Sequence, residues 1–301
     1  MMTGGITAAA VMLNISQPSV SRLIADLERA VGFRLFDRRG ARVYPTDQAQ
    51  ALFEAVRRTY AGLDLLDQAA RRIRAHPVGT IRIAALAALA MTVLPNVITR
   101  FRTLYPDIKI TVESLGQRGV EERVFLGQAD LGVGVAIPSR EGVRVNRFAQ
   151  AEYVCALPAG HSLALCDRLT IADLAGEEFI GPMHESDALW NGIDAALEAA
   201  GIPVQRRLET QHSQILYAFV EAGLGIAIAE PFSAPLFARL GVVVRPISPS
   251  ILLDYAILEP DIGPRPEVVD WLAREIDRVA LACLADVRSV VARQAIALTH
   301  G

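Results

Sequence analysis

The spacing of apolar residues changes several times along this chain, and each change marks an element. Ile6 to Leu13, "ITAAAVML", is a short run of small and apolar residues that predicts a helix, and Asn14 and Ile15 interrupt it. Ser16 then suits the N-cap of a second helix with Pro18 in its first turn. In that helix Val20, Leu23, Ile24 and Leu27 recur at helical spacing and are expected to face inward, leaving Gln17, Ser19, Ser21 and Arg22 near the exposed N-terminal turns. Two helices joined by a tight turn result. The next stretch, "VGFRLFDRRGARVYPT", offers Phe33, Leu35 and Phe36 for burial, a charged turn at Arg38, Arg39 and Gly40, and an alternating return strand. This pattern is a wing.

From Leu52 the spacing becomes 4-3-4-3-4-3 through Val56, Thr59, Leu63, Leu66, Ala70 and Ile73, a heptad seam that His76-Pro77-Val78-Gly79 ends. An amphipathic helix packed on its own domain would carry a similar stripe. This one runs for roughly 33 Å at 1.5 Å per residue, longer than a partner of about fifty residues can cover. Paired linker helices in a dimer are therefore expected. Beyond Thr80 strand and helix patterns alternate: "TIRIAAL", "TVLPNVITRFRTLY", "IKITVESL", "GVEERVFLGQ" and "ADLGVGVA" predict a parallel α/β arrangement. Strands "VRVNRFA", "YVCALPAG", "EFIGP", "QRRLETQ", "LGIAIAEP" and "LLDYAILEP" follow, with helices across 187–200, at "SQILYAFVEAG" and from Pro266.

Composition narrows the class. The 301 residues are 52% hydrophobic with charges of both signs, as in a folded protein. No charge-free run of 18 residues suggests a transmembrane helix and no basic-then-apolar opening is present, so the expected location is the cytoplasm, with no membrane contact. Cys155, Cys166 and Cys283 are too far apart for a zinc site and read as small core residues; no metal or cofactor is expected. The net charge of −3 conceals an asymmetry: residues 1–74 hold 11 Arg and 7 acidic residues, the remainder 19 basic and 26 acidic. Six arginines, Arg22, Arg29, Arg34, Arg38, Arg39 and Arg42, crowd the short positive end. A basic cluster in an acidic chain is the footprint of a nucleic-acid contact, although a solvated helix face would also carry it. Short hydroxyl and amide side chains on a helix can approach base edges or phosphates, and basic residues at a wing tip can reach phosphates or the minor groove. The same Ser and Gln residues are also ordinary first-turn residues. The candidate DNA-binding set is Ser16, Gln17, Pro18, Ser19, Ser21, Arg22, Arg34, Arg38, Arg39 and Arg42.

From Ala9 to Arg38 the chain reads A-A-x-x-L-x-x-S-Q-P-S-V-S-x-x-I-x-x-L-E-x-x-x-G-x-x-L-F-x-R, and on this signature it is identified as a member of the LysR-type transcriptional regulators. "ISQPSVSRLIADLE" and "GFRLFDRRG" are similar to the branch that governs opine and basic amino-acid catabolism. The resemblance implies a winged helix-turn-helix over 1–48, a linker and dimerisation helix over 49–76, and an α/β effector domain over 80–283, followed by a C-terminal extension over 284–301. The effector domain would have two lobes resembling type 2 periplasmic binding proteins: lobe I (80–138 and 252–283) and lobe II (141–247), with crossings near Ala136–Glu141 and Ile247–Leu253. It implies double-stranded DNA with an inverted-repeat operator as partner, a homodimer or homotetramer, a small-molecule effector such as an amino acid or opine, and RNA polymerase if the protein activates. Two departures stand out. Family members carry a further helix ahead of the position of Met1. Without it, through a misassigned start or an impaired domain, Leu23 and Leu27 are expected to lose cover at roughly 1.5–3 kcal/mol per large side chain. Ala49 stands where relatives have Gly after the wing.

Within such lobes, strand C-termini and helix N-termini converge on a cleft whose N–H groups suit an anion. By position the candidate effector contacts are Ala87 and Thr92 after the first strand, Ile137 and Pro138 at the first crossing, and Met183, His184 and Ser186 after "EFIGP". Gln211, His212 and Ser213 at the next helix start and Glu230 at a strand end complete the set. Ser186 and Ser213 also suit plain N-caps, and His184 and His212 plain surface sites. An amine or guanidinium on the ligand could pair with Glu185, Asp187 or Glu230. "GVGVA" and "GLGIA" lead into apolar strands, so Gly132, Gly134, Gly223 and Gly225 read as packing glycines rather than a phosphate loop. No nucleophile elbow, acid pair or P-loop is present, which argues against an enzyme. The alternative to a DNA-binding regulator is a small-molecule sensor whose DNA-binding domain is defective.

Overall fold

The computed structural model describes residues 5–39, 42–53, 55–56, 79–136, 142–183, 190–202, 206–261 and 266–296. The chain divides into two compact units, Met1–Arg71 and Arg72–Gly301.

In the first unit α1 (Ile6–Leu13) and α2 (Gln17–Val31) form the helix-turn-helix. Asn14 ends α1 at φ 54°, a left-handed conformation that Asn tolerates, and its N–H returns to the Ala10 and Val11 carbonyls. Ser16 caps α2, its Oγ accepting the Ser19 N–H at 3.3 Å, and Gly32 closes the helix at φ 81°. A hairpin of β1 (Phe36–Arg39) and β2 (Arg42–Pro45) is the wing. Glu28 ties α2 to it: Oε1 accepts the N–H groups of Leu35 at 2.7 Å and Phe36 at 3.2 Å. The next helix, α3, is helical over 47–53 and 55–56. Its first turn is capped by Thr46, whose Oγ1 accepts the Ala49 N–H at 3.1 Å and donates to the Arg34 carbonyl at 2.8 Å. Ala49 is thus a buried helical residue, and a glycine's freedom is not needed there.

The inward stripe expected on α2 is only half realised. Val20 is buried and Ile24 half-buried, whereas Leu23 and Leu27 are 59% and 47% exposed. Helical spacing places these residues on a shared face but does not determine what covers it. Val11, Met12 and Leu13 of α1 are exposed as well. Of the heptad seam, Leu52 and Val56 fall within α3; Thr59, Leu63, Leu66, Ala70 and Ile73 lie outside the described residues.

The second unit opens with β3 (Thr80–Leu86), α4 (Ala87–Thr92), α5 (Leu94–Leu104), β4 (Lys109–Leu115), α6 (Gln117–Phe125), β5 (Leu131–Val135) and β6 (Val143–Glu152). Then come β7 (Val154–Leu157), β8 (Leu169–Thr170), β9 (Phe179–Pro182), α7 (Asn191–Ala199), β10 (Arg206–Thr210), α8 (Ser213–Glu221) and β11 (Ala227–Ala229). It ends with α9 (Ala234–Ala238), β12 (Val243–Ser248), β13 (Leu252–Pro260) and α10 (Glu267–Ile296).

One lobe is built on a five-stranded sheet of order β4-β3-β5-β13-β6. β3 runs parallel to β4 and β5, and β13 pairs antiparallel with β5 and β6, so the sheet is mixed rather than wholly parallel. The other lobe holds the sheet β11-β7-β12-β8 and the parallel pair β10-β9. This corrects the expected lobe boundary. β6, placed in lobe II, pairs along its whole length with β13 of lobe I, so the first crossing falls at Tyr153 rather than at Ala136–Glu141. Alternation along "VRVNRFA" marks a strand but carries no record of its partner. The return passes through residues 249–251 between β12 and β13.

Each lobe has its own core. Ile83, Leu89, Phe101, Leu131, Val133 and Ile276 centre one, and Leu157, Leu174, Leu216, Tyr217, Ile228 and Val244 the other. In β5 all five residues are buried; a Cβ at Gly134 would lie 2.5 Å from Gln117 Oε1, so that glycine makes room for the neighbouring helix. α10 belongs to both lobes. Leu272, Ile276, Ala280 and Leu284 pack in the first core and Val291 against the second. The helix is unbroken across 283/284, where the sequence reading begins an extension.

Candidate nucleic-acid interface and effector cleft

At the start of α2 the polar residues face solvent. Ser16, Gln17, Pro18, Ser19 and Arg22 are exposed and Ser21 is half-buried. Their side chains hold one another: Ser16 Oγ lies 2.7 Å from Ser19 Oγ, and Gln17 Nε2 donates to Ser21 Oγ at 3.1 Å. Arg34 is also exposed, and neither it nor Arg22 forms an ion pair with a described residue. In the hairpin register Arg39 stands opposite Arg42, and Arg38 opposite Val43, which brings three arginines to the end of the wing. A capped helix with an exposed polar N-terminal turn, beside a basic hairpin, can enter a major groove while the hairpin meets backbone phosphates.

The second unit holds a cleft between its lobes. One wall comes from the β3–α4 turn (Leu86, Ala87, Ala88), the β4–α6 turn (Leu115, Gly116) and β13 (Leu253, Tyr255). The facing wall comes from Trp190, the β10–α8 turn (Gln211, His212, Ser213, Gln214) and Glu230 beyond β11, and Tyr153 stands at the crossing. The space is about 50 Å³, room for a few water-sized groups. Strand ends and helix starts meet here because both lobes carry their βα turns toward the gap.

Glu230 is the chemical centre of this cleft. It is 7% exposed, and burial raises its carboxyl from the ordinary value to about 7. Its oxygens accept the Ser233 N–H at 3.3 Å, and Oε1 also accepts from Ser213 Oγ at 3.3 Å; both bonds act in the opposite direction. The Tyr217 hydroxyl donates to the Glu230 carbonyl at 2.8 Å, fixing the backbone. Gln214 Nε2 donates to Ser233 Oγ at 3.4 Å, while Gln214 Oε1 and the Tyr255 hydroxyl are buried with no hydrogen-bond partner among the described residues. The Tyr255 ring is fixed edge-on against Phe232, their centroids 4.8 Å apart. A wider groove of about 450 Å³ between α9 and α10 lacks such groups; its Gln294 amide is bonded at both ends to the backbone at and just before β12.

Of the residues proposed from sequence, Ala87, Gln211, His212, Ser213 and Glu230 come together in this cleft. Ser213 is not the cap of α8: His212 occupies that position, and the Ser213 hydroxyl is turned to Glu230. Thr92 bonds the Ala88 carbonyl within α4 and does not line the cleft. Met183 is 44% exposed and also stands apart from it. Ile137, Pro138, His184 and Ser186, with Glu185 and Asp187, lie outside the described residues. Sequence reasoning misses Gln214 and Tyr255. Gln214 shares the buried stripe of α8 with Leu216, Tyr217 and Val220, and an amide on an apolar stripe is the available signal. Tyr255 lies within a strand that is otherwise apolar at its centre, and nothing local distinguishes it.

Among the described residues no helix is long and apolar enough to cross a membrane, and no group of three His, Cys, Asp or Glu side chains could hold a metal ion.

Comparison with known proteins completes the picture. Residues 1–50 match the family described as "Bacterial regulatory helix-turn-helix protein, lysR family", and residues 74–280 the "LysR substrate binding domain". The regulatory protein NocR of Agrobacterium tumefaciens (strain T37) is 33% identical over 269 residues, 89% of each chain. The octopine catabolism/uptake operon regulatory protein OccR of Rhizobium meliloti is 35% identical over 287 residues, 95% of this chain and 94% of its own. The fold is similar to that of an OxyR mutant from Corynebacterium glutamicum, with TM-score 0.61 at 17% identity over 95% of this chain and 91% of the other. With a helix-turn-helix at its front and a two-lobed domain behind it, the chain belongs to the LysR family of transcriptional regulators: a DNA-binding protein governed by a small-molecule effector, not an enzyme.

Proposed function

We propose that α2 reads an inverted-repeat operator in the major groove through Ser16, Gln17, Pro18, Ser19, Ser21 and Arg22, while Arg34, Arg38, Arg39 and Arg42 hold the phosphates. The protein acts in the cytoplasm as a homodimer or homotetramer paired through the linker at 49–76, and contacts RNA polymerase where it activates. Its effector is an amino acid or opine, a class favoured by the names of the relatives NocR and OccR. It binds the effector domain through Ala87, Gln211, His212, Ser213 and Glu230.

One observation carries the effector reading: the cleft has walls from both lobes and a buried carboxyl at its centre. A ligand seated there touches both lobes, so it binds one lobe geometry better than another and shifts the balance between them. In a dimer that shift alters how half-sites are engaged. The test is titration of the full chain on its own promoter fragment at several salt concentrations, with and without candidate amino acids. Several phosphate contacts give a steep loss of affinity with salt. A tight-binding metabolite that leaves footprint and transcript unchanged would disprove the coupling.

A further inference from the structure

We infer that the corner of the cleft formed by Glu230, Gln214 and Tyr255 receives a cationic nitrogen of the effector, a protonated amine or a guanidinium. This rests on the cleft being the effector site, and adds the chemical class that the site selects.

The argument is an inventory of what the corner can offer. Glu230 is buried, it accepts hydrogen bonds from Ser213, from Ser233 through side chain and backbone, and from the Phe232 backbone, the Ser213 hydroxyl and the Ser233 N–H at 3.3 Å, and it forms no ion pair among the described residues. These donors are all neutral, so the ionised carboxylate has hydrogen bonds but no counter-charge among the described residues. Gln214 spends its N–H on Ser233 and leaves Oε1, an acceptor, without a donor. Tyr255 presents a hydroxyl that can accept a hydrogen bond and has no partner among the described residues. Buried polar atoms without partners are costly, and a ligand with several N–H groups on a positive centre would donate to Gln214 and Tyr255 while supplying the counter-charge to Glu230. The aromatic rings of Tyr153 and Trp190, 6.1 Å apart, line the same cleft, and aromatic rings are attractive neighbours for a cation. An anion would meet the Glu230 carboxylate and the Gln214 acceptor instead, and His212 is the one basic side chain among the described lining residues.

The carboxyl also gives the binding a signature. Held up at about 7, it is shared between its two forms near neutral pH, and a cation beside it favours the ionised one. The titratable groups coupled to it are Tyr217 from α8 and Tyr255 from β13, and His212, at the N-cap of α8, lines the same cleft. Binding a cation therefore releases about half a proton near pH 7, and affinity rises between about pH 6 and 8. An anion does the reverse.

The test is calorimetry on the full chain with L-lysine, L-arginine and three five-carbon probes of different charge: 1,5-diaminopentane, 1,5-pentanediol and glutarate. At pH 7, buffers of different ionisation heat count the protons. The expected result is that at least one amine binds with proton release while the diol and glutarate do not. Glu230→Gln should weaken that amine by about 10- to 100-fold and abolish the release, Gln214→Leu and Tyr255→Phe should weaken it less, and all three should keep a cooperative thermal transition. Preference for glutarate, binding of no amine, or an unchanged amine affinity in Glu230→Gln overturns the inference. Ala88→Trp separates it from the reading beneath it. Glutarate binding lost in Ala88→Trp keeps the cleft as the effector site and removes only the cation. Amine binding that survives Ala88→Trp removes the site.

Discussion

Gln294 is joined to Val244 and Val242 through both ends of its amide: Oε1 accepts the Val244 N–H at 2.8 Å, and Nε2 donates to the Val242 carbonyl at 3.0 Å. Arg245, fully buried, adds to the clamp by donating to the Gln294 carbonyl at 3.2 Å and to the Ala164 carbonyl at 2.7 Å. α10 starts in the core of one lobe, so this clamp fastens its far end to the other and makes the helix a third tie beside the two chain crossings. Gln294→Ala leaves a buried N–H and carbonyl unpaired, at about 1–3 kcal/mol. Urea unfolding of the second unit should show that loss as a lower midpoint with an unchanged slope. A cleft of about 50 Å³ must widen to admit an amino acid, so the same variant should bind its effector faster. An unchanged midpoint would show that the clamp carries no stability.

Glu28 makes a comparable link in the first unit. One carboxylate oxygen satisfies two consecutive N–H groups at the entry to the wing, so the wing's angle to α2 depends on it. Glu28→Ala should cost about 1–3 kcal/mol and weaken DNA binding, whereas Glu28→Gln, which keeps an acceptor oxygen, should retain most of both. Thermal unfolding and anisotropy on the same samples check this. Equal losses in the two variants would mean that the charge, not the hydrogen bond, matters.

How much of this is legible in the sequence follows from the range of each cause. Ser16, Asn14 and Gly32 act within one turn, and the two helices are readable from them. The strands "TIRIAAL", "IKITVESL" and "ADLGVGVA" are visible as apolar runs and do pair in parallel. The partner of β6 is not, because a strand's alternation is the same whichever sheet accepts it. β12 escapes such a reading since "VVVRPIS" carries a buried Arg and a Pro, both unusual in an inner strand. In the cleft, the residues at helix starts can be found from chain position alone. Gln214 and Tyr255 cannot, because only the packing of two lobes buries their polar atoms together.

The DNA contacts should divide by role. Arg38→Ala removes a proposed phosphate contact, so affinity should fall by a similar factor on all sequences and the slope of log K against log salt should shrink by about one. Gln17→Ala removes a proposed base contact, so one operator position should lose its preference, at about 1–3 kcal/mol, with the salt slope kept. Competition binding against a library of single-base variants at two ionic strengths measures both. Equal effects of the two substitutions on random DNA would contradict the division.

Glu230 should also govern how stability varies with pH. Its carboxyl lies at about 7 in the folded protein against 4.5 for the free group. Between those values the unfolded chain has already lost its proton while the folded one retains it, so the folded state binds more protons and stability falls as pH rises. The effect is absent below pH 4.5 and complete above about 7, where a shift of this size amounts to about 3 kcal/mol. Glu230→Gln removes the ionisable group and keeps the side chain's shape, so the variant should match the native chain near pH 4.5 and exceed it by up to about 3 kcal/mol at pH 8. A chain that becomes more stable as it loses its proposed ligand contact is the expected pattern for a site whose acceptors await a partner. Urea midpoints of the second unit at pH 4.5, 6, 7 and 8 give the answer; curves that stay parallel across that range would mean the carboxyl ionises in its buried place without cost.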